Sequence, residues 1–155
     1  MKTLPLTRAR HASNFATALE VKGEPTERLL ERTRLPAEFL DSIGGDGVIS
    51  AVNMLDFAEV AARNTGIRDL GVWAGKVSIE EYGDFGKHVA SAPSLHSAIL
   101  TFCREVHGEC STANYYLKLG KSSAWFCHGP VGTTISQQSQ HELYALMIII
   151  QVIQL

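Results

Sequence analysis

Residues 143–155 are apolar around almost the whole circumference of a helix, and this feature limits the fold more than any other. A helix without a polar face has to be enclosed by the rest of a protein or by lipid. The segment is shorter than the roughly 20 residues of a membrane span, and Gln151 and Gln154 interrupt it. We therefore predict a helix from about Ser139 that is buried in a core, and no membrane partner.

The rest of the chain has enough apolar residues to surround such a helix. It has 155 residues, of which 45% are hydrophobic and 19% charged, as in one globular domain. The formal net charge of −2 argues against a duplex-binding surface, which needs a basic surplus to neutralise phosphates. Cys103, Cys110 and Cys127 are an odd number without the spacing of a disulfide framework. We expect reduced thiols in a cytoplasmic protein.

Before residue 108 the apolar residues recur with a helical period. Residues 9–21 form one amphipathic stretch, and Gly23 is placed to end it. Ser50 is placed to cap a second long helix that Gly66 ends, and Ser94 to cap a third. These signals predict a first half made of helices.

Ser78 and Glu81 have the spacing of a capping box, which predicts a helix that continues through Val89. Gly83 and Gly86 lie inside this predicted helix, and each costs about 1 kcal/mol relative to alanine. We expect the two glycines to be there because a neighbouring element approaches closely.

After residue 108 the period changes to that of strands. Residues 114–119 and 123–128 are rich in aromatic and alternating residues, and a glycine-containing turn lies between them. This pattern predicts a β-hairpin. The fold class is therefore α+β: N-terminal helices, then an antiparallel hairpin or sheet, then a buried C-terminal helix.

The predicted single domain, residues 1–155, is expected to be incomplete. A two-stranded hairpin is too small to be stable in isolation, and it covers one side of the last helix at most. The chain also ends inside that helix without a stop signal. We expect further strands or a dimer partner to cover the remaining apolar surface in the full-length protein.

A metal or haem site is one functional hypothesis. Cys103 and His107 are four residues apart on one predicted helix face, and Cys110 follows. His128 on the hairpin could add a ligand, which would make a small sensor or enzyme. The other interpretation is that Cys103 is a small hydrophobe and His107 a helix-end cation. We favour the second, because the spacing matches no known zinc pattern, and we predict no metal and no cofactor.

Aromatic residues are the other candidates for a site. Trp73, Tyr82, Tyr116 and Trp125 could line a pocket for a small effector, although aromatic side chains also fill cores. Strand alternation puts Trp125 on the opposite hairpin face from His128 and leaves open which face is buried. We take these four aromatic residues as the predicted effector-binding residues.

The basic N-terminus allows two interpretations. Lys2, Arg8, Arg10 and His11 could touch DNA beside a DNA-binding domain in a longer protein. A solvated and partly frayed terminus is the more common situation, and it is our expectation here.

Several of these stretches occur in an order that resembles a known family. Residues 21–36 contain a helix end, a glycine, a double leucine and a leucine-proline pair. Residues 61–71 and 82–99 contain glycine, small-residue and proline steps, and residues 114–128 form the hairpin. This set, over about residues 18–155, resembles the N-terminal arabinose-binding type domain of AraC-family transcription regulators, in the branch of the ornithine-utilisation regulators.

The resemblance implies a function. Such a domain binds a small-molecule effector, often forms a homodimer, and is followed by a C-terminal domain with two helix-turn-helix units that bind DNA. By this resemblance the chain is the bacterial effector-sensing and dimerisation part of a regulator and is not an enzyme. DNA binding would then depend on the C-terminal domain, whose pattern is absent from these residues.

Overall fold

The computed structural model describes residues 4–40, 45–129 and 139–155, and 61% of the chain is helical. The helices are α1 (Ala9–Val21), α2 (Glu27–Arg32), α3 (Ala37–Leu40), α4 (Ala51–Thr65), α5 (Leu70–Ala74), α6 (Gly83–Ala90), α7 (Leu95–Glu109) and α8 (Ser139–Ile153). The strands are β1 (Leu6–Arg8), β2 (Val48–Ser50), β3 (Tyr115–Leu119) and β4 (Ala124–His128). The predicted α+β class, with helices first, an antiparallel hairpin and a C-terminal helix, is confirmed.

The helix ends follow the local signals in the sequence. Gly23 and Gly66 have φ angles of 77° and 73°, a left-handed conformation that glycine adopts without strain. The side chain of Ser50 accepts a hydrogen bond from the backbone N–H of Asn53 at the start of α4. Ser94 and Ser97 form a reciprocal capping box at the start of α7. The predicted ends and caps at these positions are confirmed.

The caps give a matched test of stability. Replacing Ser94 with alanine is expected to lower the free energy of unfolding by about 1 kcal/mol, because the first turn of α7 loses its side-chain acceptor. Ser78→Ala is the control, since Ser78 makes no side-chain cap bond with the described residues. Urea denaturation of both variants checks this. Equal losses in the two variants would contradict the assignment of the caps.

The helix predicted from Ser78 is broken. Ile79–Glu81 form a single 3-10 turn, and α6 starts only at Gly83, which has a φ of 65°. The capping box predicted for Ser78 and Glu81 is therefore wrong. The reason is tertiary: a Cβ on Gly83 would meet the guanidinium of Arg10, and one on Gly86 would meet the carbonyl oxygen of Ile79. The predicted close approach at these glycines is confirmed.

The N-terminal strand joins segments that are far apart in sequence. β1 pairs antiparallel with β2, with Thr7 opposite Ile49, and Thr7 also forms an antiparallel bridge with Cys110. The N–H of Leu6 donates to the Oγ of Ser111 at 2.9 Å. The sequence did not predict β1 or β2, because three-residue strands are too short to show alternation.

The expected solvated N-terminus is wrong for the residues that the structure describes. Arg10 and His11 are each only 7% exposed, because α1 starts directly at β1 and its first turn enters the core. Arg8 is held by two backbone carbonyls, those of Asp46 and Gly108. Lys2 lies outside the described residues. Arg8, Arg10 and His11 are therefore structural residues of the domain, unlike those of a flexible basic arm.

The C-terminal helix α8 packs against α4, α5 and α7. Its inner face carries Tyr144, Ala145, Ile148 and Val152, all buried. On its outer face Leu146 and Ile153 are about half exposed, as is Leu155 just beyond the end of the helix. Within the described ranges, the helices are all too short or too polar to cross a membrane.

The hairpin β3–β4 covers α7 with one of its faces. Tyr115 lies opposite His128, and Leu117 lies opposite Phe126. The rings of Tyr115 and Phe126 both contact the ring of Phe102 on α7, with centroids 5.0 and 5.5 Å away. The face that was left open in the sequence is therefore settled, since Phe126 and His128 point inward.

Candidate functional site

A cavity of about 40 Å³ lies where the hairpin, α1, α7 and α8 meet. It is deeply placed, because residues from almost every part of the fold contribute to its wall. Six of the fourteen lining residues are apolar, and the other eight, which carry a polar group, come from β1, α1, the turn before α6, α7 and the residue after it, β3 and α8. The lining residues are Thr7, His11, Met54, Tyr82, Phe85, Phe102, Val106, Glu109, Cys110, Ala113, Tyr115, His141, Tyr144 and Ile148.

The Tyr144 hydroxyl is the centre of a buried hydrogen-bond network beside the cavity. It lies 2.8 Å from Nδ1 of His11 and 3.0 Å from the Tyr82 hydroxyl. The side-chain amide of Asn14 donates to both hydroxyls, at 3.0 and 3.2 Å. Burial raises the pKa of Tyr82 to about 12 and raises that of Tyr144 well above its ordinary value. Both phenols are therefore neutral and already engaged with protein groups.

A buried ion pair lies next to this network. Oε2 of Glu109 is 3.3 Å from Nε of Arg10 and 3.5 Å from Nε2 of His11. Arg10 also pairs with the exposed carboxylate of Asp46. An arginine keeps its charge at every physiological pH, so a buried one needs such partners. Glu109 lines both the cavity and an open groove outside it, and so forms part of the wall between the two spaces.

His141, on the first turn of α8, is a lining residue whose two ring nitrogens are both unpaired among the described residues. It is only 9% exposed, and neither of its ring nitrogens has a hydrogen-bond partner among the described residues. Burial, with contributions from His128 and His11, lowers the pKa of His141 to about 4. The ring is therefore neutral and has one N–H donor and one lone-pair acceptor to offer. Buried polar atoms without a partner call for an explanation, and a ligand is one.

The low pKa of His141 predicts a pH dependence of stability. A histidine in the unfolded chain binds a proton near pH 6.5, whereas the buried ring of His141 does so only near pH 4. The stability that the neutral ring contributes is therefore fully present above pH 6.5 and is lost as the pH falls from 6.5 to 4. Going from about pH 7 to about pH 5 is expected to cost about 2 kcal/mol through this residue.

Urea unfolding at the two pH values measures that cost in the wild type and in His141→Phe, which cannot titrate. His96→Phe is the control, because His96 is exposed on α7. We expect the control to keep the pH dependence of the wild type and His141→Phe to lose most of it. An identical loss of stability in wild type and His141→Phe would contradict the assignment.

The four predicted effector-binding residues are not brought together. Tyr82 lines the cavity. Tyr116 and Trp125 lie on the outer face of the hairpin, 48% and 63% exposed. Trp73, on α5, donates to a carboxylate oxygen of Asp69 at 3.1 Å, and its ring lies under two lysine ammonium groups. Their role in binding an effector stays a prediction, and Tyr82 is the member placed at the cavity.

The residues of the metal hypothesis are also separated. His107 is exposed, and the Cys110 thiol lies 3.3 Å from the hydroxyl of Thr112. Nδ1 of His128 lies 3.3 Å from Oε2 of Glu142, and burial raises the pKa of the Cys103 thiol. Among the residues that the structure describes, no group of three histidine, cysteine or acidic side chains is arranged to hold a metal ion.

Sequence reasoning missed most of the cavity's polar residues. His11, Glu109 and His141 lie on three different helices, and no spacing along the chain links them. Arg10 and His11 were assigned to a solvated terminus. Of the cavity residues, the sequence alone indicates Tyr82 as an aromatic candidate and Cys110 as part of the metal hypothesis.

The sequence of this chain is similar to one known protein family. A search of curated proteins finds no match to this chain. The family described as the arabinose-binding domain of AraC transcription regulators, N-terminal, matches residues 23–154, which is most of the chain and includes all residues that line the cavity except Thr7 and His11. The chain therefore belongs to the family of arabinose-binding domains from the N-terminus of AraC transcription regulators, which are ligand-sensing regulatory domains.

Proposed function

We propose that this chain senses a small-molecule effector in the cavity between the hairpin, α1, α7 and α8. The observation that carries the proposal is the pair of unpartnered ring nitrogens of His141, on a side chain nine-tenths buried in the cavity wall. The two nitrogens have almost no accessible surface in this conformation, so a ligand reaches them by displacing part of the wall, and hydrogen bonds to them would then remove the cost of leaving them unpaired. Tyr82 is the predicted effector-binding residue that contributes to the same wall.

The position of the cavity supports a regulatory role. Its wall includes Tyr115 on the hairpin and Tyr144 on α8, which otherwise contact different parts of the fold. A ligand that fits the cavity changes the packing of both elements, and it shifts the population of conformations by its difference in affinity for them. The outer faces of α8 and the hairpin would carry that change to a partner.

The partners are a further part of the proposal. We propose that the chain forms a homodimer through the outer face of α8, where Leu146 and Ile153 are exposed and the exposed Leu155 follows the end of the helix. DNA binding belongs to a helix-turn-helix domain elsewhere in a full-length bacterial cytoplasmic regulator. These 155 residues carry a net charge of −2, so they are expected to cause no sequence-dependent shift of duplex DNA in a gel assay.

Equilibrium dialysis against the small-molecule fraction of a cell extract, followed by mass spectrometry, tests the sensing function. The wild type is expected to retain a compound that Ala113→Val does not. Ala113 is buried in the cavity wall, so the two carbons that valine adds fill part of the cavity. His96→Phe, on the exposed face of α7, should retain the compound as the wild type does. Identical retention by the wild type and Ala113→Val would refute the proposed site.

A further inference from the structure

Three histidines from separate parts of the fold meet beside the cavity, with side chains about nine-tenths buried. His11 lies on α1, His128 at the end of β4 and His141 on the first turn of α8. The ring of His128 has its centroid 5.9 Å from that of His141 and 4.5 Å from that of Tyr115. Nδ1 of His11 bonds to the hydroxyl of Tyr144, one turn along α8 from His141. The histidines therefore join α1, the hairpin and α8 at one place.

Two of the three histidines have a carboxylate beside them. Nε2 of His11 lies 3.5 Å from Glu109, and Nδ1 of His128 lies 3.3 Å from Glu142. A positive charge on either ring would be partly compensated by that neighbour. Neither nitrogen of His141 has a hydrogen bond or an ion pair among the described residues. His141 is therefore the member of the cluster that the fold tolerates least as a cation.

The other groups on the elements around His141 do not compensate a charge there. Glu109 is already paired with the guanidinium of Arg10, and Glu59 on α4 accepts a hydrogen bond from the first turn of α8. The charged residues of α6 and of the turn before it line the outer groove. The remaining titratable groups are phenols, a thiol and basic side chains: Tyr82, Tyr115, Tyr144, Cys110, His11 and Arg68. A proton on His141 would leave a buried cation without a partner.

The burial of His141 couples proton uptake to an opening of the structure. Both ring nitrogens have almost no accessible surface, so a proton reaches them only when the wall around them opens. Burial, with His128 and His11, lowers the pKa of the closed ring to about 4. In an open state the ring is hydrated, and its pKa returns to about 6.5. Protons therefore favour the open state as the pH falls below 6.5, and above that value the closed state keeps its full advantage.

The hairpin is the element that can open without the rest. A two-stranded sheet is marginal by itself, and among the described strands β3 and β4 pair only with each other. The rings of Tyr115 and Phe126 hold its inner face on Phe102 of α7. The end of the hairpin is held where His128 contacts His141 on α8. By contrast, α1, α4 and α5 pack on one another, so they can stay folded when the hairpin leaves.

We propose that His11, His128 and His141 form a proton-sensitive latch between α1, the hairpin and α8. In acid, His141 takes up a proton and the hairpin separates from the first turn of α8, while the packing of α1, α4 and α5 persists. The cavity then loses the part of its wall that Tyr115 contributes. The latch needs no ligand, so it goes beyond the proposed sensing function and does not depend on it.

Amide hydrogen exchange of the full chain without ligand, at about pH 7 and about pH 5, tests the latch. Protection factors, corrected for the intrinsic exchange rate at each pH, are expected to fall about twentyfold in β3 and β4, which follows from the two pKa values of His141. At each pH the amides of α4 are expected to be at least about tenfold better protected than those of the hairpin. Low concentrations of urea should accelerate exchange in α4 much more than in the hairpin, because local opening exposes little surface.

His141→Phe keeps a planar ring that cannot titrate, and it should reduce the fall of hairpin protection to less than about threefold. His96→Phe, exposed on α7, is the control and should keep the twentyfold fall. A fall of the same size in His141→Phe would overturn the latch. Two results in the wild type would do so even if His141→Phe does not fold: hairpin protection that is the same at both pH values, or equal protection of the hairpin and α4, which would mean that the chain opens only as a whole.

Discussion

Replacing Gly71 with alanine is expected to destabilise the protein by about 3 kcal/mol or more, at the upper end of overpacking effects. Gly71 is buried on α5, where this helix crosses the start of α8. A Cβ at this position would meet the backbone carbonyl oxygen of Gln140, and it would lie 3.0 Å from Cβ of Leu143. Backbone atoms cannot rotate away, so α8 would have to move. The measurement is the free energy of unfolding in urea.

Gly108→Ala is the matched control on α7. A Cβ there meets no described atom within 4 Å, and the backbone is helical without a positive φ. Alanine has the higher helix propensity, so this variant is expected to be more stable than the wild type by about 0.5–1 kcal/mol. Opposite signs for the two variants support the close crossing of α5 and α8. A neutral effect of Gly71→Ala would show that the two helices are further apart.

Glu109→Gln is expected to cost about 3 kcal/mol, since it removes one charge of a buried pair. The guanidinium of Arg10 would remain inside the protein with only the exposed Asp46 as a carboxylate partner. Glu105→Gln is the control on the same helix. Glu105 pairs with His88 and Arg104 on the surface, where such pairs contribute about 0–1 kcal/mol.

The double variant Arg10→Met with Glu109→Gln completes the test. If the cost of Glu109→Gln comes from the unpaired charge of Arg10, removing that charge as well should restore a large part of the lost stability. Denaturation of the wild type, Arg10→Met, Glu109→Gln and the double variant in one buffer gives the coupling energy between the two residues. Additive losses, with no recovery in the double variant, would show that Glu109 contributes through packing alone.

The parts of the fold that follow from local interactions were predictable. Gly66 ends α4 because it adopts a left-handed conformation, and Ser94 caps α7 with its own side chain. The hairpin pattern of residues 114–128 likewise needs only neighbouring residues. Each of these signals lies within a few residues of the feature that it specifies. Such features can therefore be predicted from the sequence without knowledge of the tertiary contacts.

The parts that depend on distant contacts were not predictable. The break at Gly83 exists because Arg10 from α1 occupies the space beside it. The capping pattern at Ser78 and Glu81 is a correct local signal that this tertiary contact overrides. The candidate site combines His11 with His141, which are adjacent in space because α1 and α8 cross the same cavity. Alternation along β4 separated Trp125 from His128, but only the packing of α7 decides which one is inside.

The position of β1 has a consequence for synthesis of the chain on the ribosome. Leu6 bonds to Ser111 across 105 residues, and Arg8 bonds to Gly108 across 100 residues. At a synthesis rate of about 5–20 residues per second, the first strand waits roughly 5–20 s before these partners emerge. During that time α1 can already contact α4 and α5, but Phe15 lacks the ring of Tyr144 on α8, which is made later still. Part of the apolar face of the first helix therefore stays exposed, and prone to aggregation, until the last helix is complete.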